Sequence, residues 1–161
     1  MSVSAAVEIE RRGADVLDEL ERLWLVLKNH HGSVTPGLAV HDDAHSWAQR
    51  RAGYAEWLAQ EGAFALVARQ DGRPVGYAIT VIHPGSPTWI EPDRYAGVID
   101  LAVAPEAQGA GVGRALLDRV HDESGCAEIE LTVLSANGPA RAFYERIGFE
   151  SYSEVLRRRR Q

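Results

Sequence analysis

The stretch QGAGVGR at residues 108–114 places three glycines within five positions. It follows Val98–Val103, an apolar run that is typical of a buried strand apart from Asp100. After the glycines, apolar residues recur at the spacing of an amphipathic helix, at Val112, Leu116, Leu117 and Val120. A strand joined to a helix by a glycine-rich turn favours a sheet with helices packed on it.

The hydrophobic pattern divides the rest of the chain into strand and helix segments. Strands are predicted at Ala6–Arg11, Ala63–Arg69, Pro74–Val81, Glu128–Leu134 and Glu150–Arg157. Helices are predicted from Asp15 to about His30–Gly32, over Asp43–Gln60, and from Pro139 through Ile147 with Gly148 as the terminator. Asp71-Gly72 predicts a hairpin turn, and the three prolines within His83–Tyr95 predict a loop. The order β-α-α-β-β-β-α-β-α-β describes an α/β fold, expected to form a single domain over residues 1–161.

Charge and composition exclude several classes of function. A net charge of −6 argues against general affinity for nucleic acid, and the basic run Arg157–Arg160 is interpreted as a solvated strand end or tail. No segment approaches the roughly 20 apolar residues of a membrane span, and MSVSAAVEIERR lacks the order of a signal peptide. The single cysteine, Cys126, excludes an internal disulfide and is expected to be a small buried hydrophobe. We therefore expect a soluble, cytoplasmic protein without membrane partners.

The glycines admit four interpretations. A nucleotide P-loop needs a Gly-Lys-Ser/Thr ending that the chain lacks. A dinucleotide fingerprint needs G-x-G-x-x-G, but Arg114 stands where the third glycine belongs, although Glu130 lies at a suitable distance for a ribose carboxylate. A pyrophosphate could instead bind the free N–H groups at the helix N-terminus. The glycines could also form only a tight turn, and spacing alone does not separate these last two interpretations.

Two blocks carry a resemblance to a known family. Val103–Leu117 resembles the acyl-CoA-binding motif of the GNAT superfamily of N-acetyltransferases, Gln/Arg-x-x-Gly-x-Gly/Ala after a strand ending in Val-x-Pro. Gln108, Gly111 and Gly113 fill that motif. Asn137–Phe149 resembles the second signature of the family, N-x-x-A-x-x-F-Y-x-x-x-G-F. The blocks occur in the expected order, one helix and one strand apart.

The resemblance implies an α+β domain, a mostly antiparallel sheet flanked by about four helices, and acetyl transfer from acetyl-CoA to an amine. It assigns the pyrophosphate to backbone N–H groups of Gln108, Gly109, Ala110, Gly111, Val112, Gly113 and Arg114. It assigns the pantetheine arm to Leu101, Ala102 and Val103, on a strand that splays from its neighbour, and to Asn137 and Ala140 across the resulting wedge. Asn137 could equally cap the following helix.

The resemblance also suggests an acid and leaves the base open. Tyr144 is the expected general acid for the departing thiolate; the alternative is a core tyrosine whose hydroxyl is bonded elsewhere. Relatives often carry a carboxylate four or six residues before the terminal Val, where this chain has Ile99 and Gly97. Asp100 is a candidate base, although strand alternation predicts that it faces the other way and anchors a strand or loop. Further candidates acting through water are Glu91, His83, His30 and His31.

The acceptor is less constrained. His30, His31, Trp89 and Glu91 are expected to line its pocket, while Trp24 and Trp57 are expected in the core. His41 and His45 share a helical face, but no third ligand is apparent, so no metal is expected. The hypotheses are acetylation of a small-molecule amine, acetylation of a peptide N-terminus, and a CoA-binding sensor without turnover. Relatives commonly carry two strands after Gly-Phe, and a single strand here would leave an exposed edge, which favours a homodimer.

Overall fold

One five-stranded sheet organises the computed structural model, which describes residues 6–160. Its strands, in spatial as well as chain order, are β1 (Glu8–Arg12), β2 (Phe64–Gln70), β3 (Arg73–Pro84), β4 (Arg94–Val103) and β5 (Ile129–Leu131). Neighbours are antiparallel from β1 to β4, and β4 and β5 are parallel. The predicted α/β class with a mostly antiparallel sheet is confirmed.

Helices cover both faces of this sheet, which explains the continuous apolar sequences of β2 and β3. The four α-helices are α1 (Glu21–Val34), α2 (Asp43–Leu58), α3 (Val112–Ser124) and α4 (Gly138–Arg146), with short 3-10 helices at Ala14–Glu19 and Pro105–Ala107. Tyr77 of β3 bonds a tyrosine of α2, whereas a Cβ on the preceding Gly76 would lie 3.1 Å from Val112 of α3. Because successive strand residues point to opposite faces, α2 and α3 lie on opposite sides of the sheet.

A tight turn and a bulge shape the central strands. Asp71 and Gly72 both have positive φ, 50° and 75°, as the two-residue hairpin turn between β2 and β3 requires. In β4 the pairing with β3 passes from Val98 opposite Thr80 to Asp100 opposite Ile79, so Ile99 is an extra residue. This β-bulge reverses the alternation of side chains on either side of it.

The pairing between β4 and β5 is short. It covers three residue pairs and ends with Val98 opposite Leu131. Residues 100–103 of β4 remain paired with β3 but have no strand on their other side. A wedge therefore opens between the second half of β4 and the chain that leaves β5.

Several predicted boundaries are corrected. The strand expected at Glu150–Arg157 is wrong: these residues form no strand and their side chains are exposed, since three-residue β5 offers little edge to pair with. The strand expected at Glu128–Leu134 shortens to β5, because its second half turns away at the wedge. The ends of the predicted loop His83–Tyr95 belong to β3 and β4.

The first helix also differs from the prediction. It is interrupted after the 3-10 turn at Ala14–Glu19 and then continues past His30–Gly32 to Val34. The hydroxyls of Ser33 and Thr35 donate to the carbonyls of His30 and His31, at 2.7 Å each, which satisfies acceptors in the last turn. Gly32 consequently lies inside the helix instead of terminating it. The second helix ends at Leu58, two residues before the predicted Gln60.

Candidate active site

The glycines before α3 have separate structural causes. Gly109 and Gly111 have φ of 78° and 81°, a left-handed conformation that side chains disfavour, and Gly111 is the N-cap of α3. A Cβ on either glycine would meet no atom within 4 Å, so the space above this turn is open. Gly113 has another role, because its Cβ would lie 3.3 Å from the ring of Phe143 in α4. The first turn of α3 carries no acidic residue, so its N–H groups and positive dipole end suit an anion.

The end of β4 leads directly into this turn. Ala104 N–H donates to the Val75 carbonyl at 2.8 Å, so alternation directs the backbone groups of Ala102 to β3 and those of Leu101 and Val103 into the wedge. The Gln108 side chain closes back and donates to the Val103 carbonyl at 3.1 Å. This side chain thus fixes the turn to the strand, a contact that the sequence motif did not suggest.

Asn137 faces the wedge from the other side. It is buried and is the N-cap of α4, where its Oδ1 accepts from Ala140 N–H at 3.3 Å. The same oxygen lies 3.1 Å from Nε2 of His30 on α1. The capping alternative therefore holds, and it leaves the Asn137 NH₂ group without a partner among residues 6–160.

Tyr144 lies on α4 between two phenylalanines. Its ring centroid is 5.2 Å from that of Phe143 and 5.6 Å from that of Phe149. Burial, with a smaller contribution from the charge of Asp100, raises the pKa of Tyr144 to about 12, so the phenol stays protonated at neutral pH. No donor or acceptor from residues 6–160 bonds its hydroxyl, which disfavours the alternative of a core tyrosine bonded elsewhere.

Asp100 faces the α2 side of the sheet, contrary to the prediction from alternation. The bulge at Ile99 moves it to the same face as Gly97, since Asp100 and Gly97 pair with Ile79 and Val81 of one unbroken strand. Its Oδ2 accepts from the Tyr54 hydroxyl at 2.7 Å and lies 3.5 Å from the Arg50 guanidinium. Burial raises the pKa of Asp100, opposed by the charge of Arg50 and the bond from Tyr54.

The predicted pocket residues separate into two groups. His30 and half-buried His31 lie at the end of α1, and burial, His30 and Arg50 lower the pKa of His31. Trp89 is 64% exposed, and Glu91 accepts from the Tyr152 hydroxyl at 3.0 Å, so contacts of this loop run to the C-terminal segment. His83 stacks on Tyr95, with ring centroids 5.1 Å apart.

Four other expectations concern the described residues. The rings of His41 and His45 lie 4.5 Å apart, and residues 6–160 contain no cluster of three groups able to hold a metal ion. Trp24 is buried and Trp57 is partly buried against the core, as predicted. Cys126 is free and buried. Within the same residues, no helix has both the length and the apolar character needed to span a bilayer.

Comparison with known proteins identifies the family. The model of the acetyltransferase (GNAT) family matches residues 17–149, which is most of the chain. The chain belongs to the GNAT acetyltransferase family. An aminoglycoside N(6')-acetyltransferase type 1 of Stenotrophomonas maltophilia is 32% identical over 133 residues, covering 73% of this chain and 87% of that protein.

A further relative is similar over part of its length, and a solved structure shares the fold over nearly all of its length. A mycothiol acetyltransferase of Saccharomonospora viridis is 35% identical over 127 residues, covering 71% of this chain and 41% of the relative. The chain thus spans about two-fifths of that protein. The structure of aminoglycoside N-acetyltransferase AAC(6')-Iy in complex with CoA aligns over 100% of this chain and 99% of its own, at a TM-score of 0.72 and 19% identity.

Sequence reasoning missed three residues around Asp100. Tyr54 lies on the buried side of α2, where its aromatic ring suggests only packing, but its hydroxyl bonds Asp100 and Tyr77. Arg50, one helical turn before Tyr54, carried no signal in the sequence. A bulge leaves no local mark in Val98–Val103 either, so the orientation of Asp100 could be found only from the strand pairing.

Proposed function

We propose that this chain transfers an acetyl group from acetyl-CoA to a primary amine of a small molecule. The observation that carries the proposal is the combination of the open glycine turn at the α3 N-terminus with the wedge beside β4. The relatives named for aminoglycoside and mycothiol acetylation support an amine acceptor. Acetylation of a peptide N-terminus is the alternative acceptor, and CoA binding without turnover is the alternative function.

The donor site uses backbone more than side chains. Backbone N–H groups of residues 109–114 bind the pyrophosphate, since the N–H of Gln108 already donates to the Pro105 carbonyl at 3.3 Å, and the left-handed glycines leave room for it. The backbone groups of Leu101 and the N–H of Val103, whose carbonyl accepts from Gln108, bind the pantetheine arm as an added strand would. The NH₂ group of Asn137 donates to the same arm from the opposite side of the wedge, next to Ala140.

Two side chains move protons. When bound, acetyl-CoA supplies an acyl carbon activated as a thioester. Asp100 accepts a proton from the incoming ammonium, which frees the nitrogen lone pair to form the C–N bond. Tyr144 donates its phenolic proton to the sulfur as the C–S bond breaks. The nitrogen loses its second proton to buffer as the intermediate collapses. Buffer also returns a proton to the phenolate and removes the one held by Asp100, so the products are a neutral amide and CoA thiol.

The test is thiol release from acetyl-CoA over a panel of aminoglycosides, other small amines and peptides with free N-termini. Release with small amines supports the proposal. Release with peptides alone assigns the alternative acceptor, and calorimetric CoA binding without release across the panel assigns the sensor. Asp100→Asn serves as the control for uncatalysed hydrolysis.

We further propose a cytoplasmic homodimer. The single, buried Cys126 suits a reducing compartment. The outer edge of β5 has no strand partner among residues 6–160, which supports pairing with a second copy.

A further inference from the structure

A chain of hydrogen-bonded side chains lies buried between α2 and the sheet. The Tyr54 hydroxyl is 2.7 Å from the Tyr77 hydroxyl and 2.7 Å from Oδ2 of Asp100. Both tyrosines are fully buried, and burial raises the pKa of each, so both hydroxyls stay protonated. A protonated Tyr54 can donate to Asp100 only if it accepts from Tyr77, which fixes the direction of the chain.

Arg50 approaches the same carboxylate from the next turn of α2. Its guanidinium lies 4.4 Å from the ring centroid of Trp24 and 5.6 Å from that of Trp57, while one nitrogen is 3.5 Å from Asp100 Oδ2. Stacking on the aromatic rings limits where this cation can move. The side chain keeps 30% of its surface exposed, so the cluster reaches the surface at Arg50.

Both contacts use the same oxygen of Asp100. Residues 6–160 provide no hydrogen-bond donor for the other oxygen, Oδ1. A carboxylate held by one oxygen has a fixed orientation and keeps lone pairs of the second oxygen for an incoming proton. We propose, on the basis of the acetyl transfer proposed above, that Tyr54 and Arg50 are positioning residues that hold Asp100 as the base.

Other ionisable groups around Asp100 belong to four elements. Arg50 and Tyr54 come from α2 and Tyr77 from β3. The charge of Asp100 also raises the pKa of Tyr144 on α4, and the charge of Arg50 lowers the pKa of His31 on α1. The bond from Tyr54 and the charge of Arg50 both stabilise the ionised carboxylate, so removal of either raises the pKa of Asp100.

The deciding variant is Tyr54→Phe. Loss of a hydrogen bond to the charged carboxylate raises its pKa. The acidic limb of the pH profile of kcat/KM, which reports the pKa of the base, is therefore expected to move to higher pH by about one unit. Tyr77→Phe is the matched control, because it removes a hydroxyl from the same chain without touching Asp100, and its limb should move less. A limb that stays in place in Tyr54→Phe, with an unfolding transition close to that of the parent, overturns the proposal.

Arg50→Gln tests the second positioning residue. It is expected to move the acidic limb of the pH profile in the same direction. Removal of the Arg50 charge also raises the pKa of His31, however, and the limb would then move to higher pH if His31 were the base. His31→Gln resolves this ambiguity, since the limb should persist if Asp100 is the base. A limb that disappears in His31→Gln overturns the proposal. Arg50 is partly exposed, so this arm remains informative should Tyr54→Phe fold poorly.

A direct titration separates this inference from the proposed function. The carboxyl carbon signal of Asp100, assigned by its loss in Asp100→Asn, reports the pKa without turnover. A higher pKa of Asp100 in Tyr54→Phe, together with an acidic limb of kcat/KM at higher pH, supports the proposal. A higher pKa of Asp100 with an unchanged limb shows that Asp100 is not the base. Absence of turnover in the unsubstituted chain contradicts the acetyl transfer itself, before any variant is made.

Discussion

Burial raises the pKa of both Tyr144 and Asp100, with a different consequence for each group. Burial raises the pKa of Tyr144 to about 12 and keeps it a proton donor at neutral pH. Burial also raises the pKa of Asp100, which brings a carboxylate nearer to the range in which it can accept and release a proton. One low-dielectric region therefore suits both an acid and a base.

Tyr144→Phe tests the acid. The variant keeps the ring contacts with Phe143 and Phe149 and removes only the unbonded hydroxyl. We expect kcat to fall about 100-fold, in the range of general acid catalysis, with little change in the KM for acetyl-CoA. Steady-state kinetics measure both constants, and an unchanged kcat would show that another group protonates the sulfur.

Asp100→Asn tests whether the raised pKa of Asp100 makes the free energy of unfolding depend on pH. The pKa of Asp100 is raised in the folded state, so that state binds the proton more tightly than the unfolded chain. The free energy of unfolding from this group is therefore highest below the ordinary Asp pKa of about 4, and falls as pH rises through the raised value. In urea denaturation across this range, the unfolding free energy of the parent minus that of Asp100→Asn should decrease as pH rises; a constant difference would contradict the assignment.

The sequence suggested candidate residues of the site but not their contacts with other elements. Gln108, Asn137 and Tyr144 were assigned through the resemblance of two sequence blocks to the family, and their roles stay predictions. Contacts across elements, such as His30 with Asn137 or Tyr54 with Asp100, depend on packing between segments that are distant in sequence. Periodicity identifies which side of a helix is buried but not which hydroxyl or guanidinium meets a carboxylate.

At the scale of elements, the turn before α3 concentrates the conformational requirements of the donor site. Gly111→Ala places a side chain at φ 81°, which is expected to cost about 1 kcal/mol of unfolding free energy. We also expect the KM for acetyl-CoA to rise several-fold while the KM for the amine stays near its original value. Chemical denaturation and kinetics measure the two effects.

Gly37→Ala is the matched control for that substitution. Gly37 lies in the exposed connection between α1 and α2, has no positive φ, and its Cβ would meet no atom within 4 Å. It should leave the KM for acetyl-CoA unchanged. Equal effects of the two substitutions would mean that the turn at Gly111 has no particular role in binding.

Element types were predictable wherever periodicity was strong, and the failures have physical causes. The helix at Val112–Ser124 and the hairpin at Asp71-Gly72 follow from local pattern and turn chemistry. Glu150–Arg157 has residues suited to a strand but finds no edge long enough to pair with, because β5 ends at Leu131. Strand formation depends on a partner, which a local pattern does not reveal.

At the scale of the whole molecule, the two sheet edges differ in length. β1 pairs over five residues with β2, whereas β5 pairs over three residues with β4 and is followed by the exposed segment 150–160. Light scattering after gel filtration should give a mass that rises toward that of a dimer with concentration, if copies associate through β5. A monomer mass throughout would contradict the homodimer.

Charges at the two edges distinguish the interface. Thr132→Lys places a charge just beyond β5 and should weaken association, because Lys on an exposed strand opposes edge pairing. Glu8→Lys also places a lysine on an edge strand, on β1 at the opposite side of the sheet, and should leave the mass unaffected. The reverse result would assign the interface to β1.

The bulge at Ile99 has a consequence for how functional positions are transferred between homologues. Counting residues back from Val103 leads to Ile99 and Gly97, and suggests that the carboxylate of the strand has been lost. Strand pairing shows Asp100 on the same face as Gly97, so the carboxylate occupies an adjacent alignment column. If Asp100 is the base, as proposed, a column-by-column alignment would classify an enzyme of this kind as lacking its carboxylate, whereas an alignment that follows the pairing of β3 with β4 would retain it.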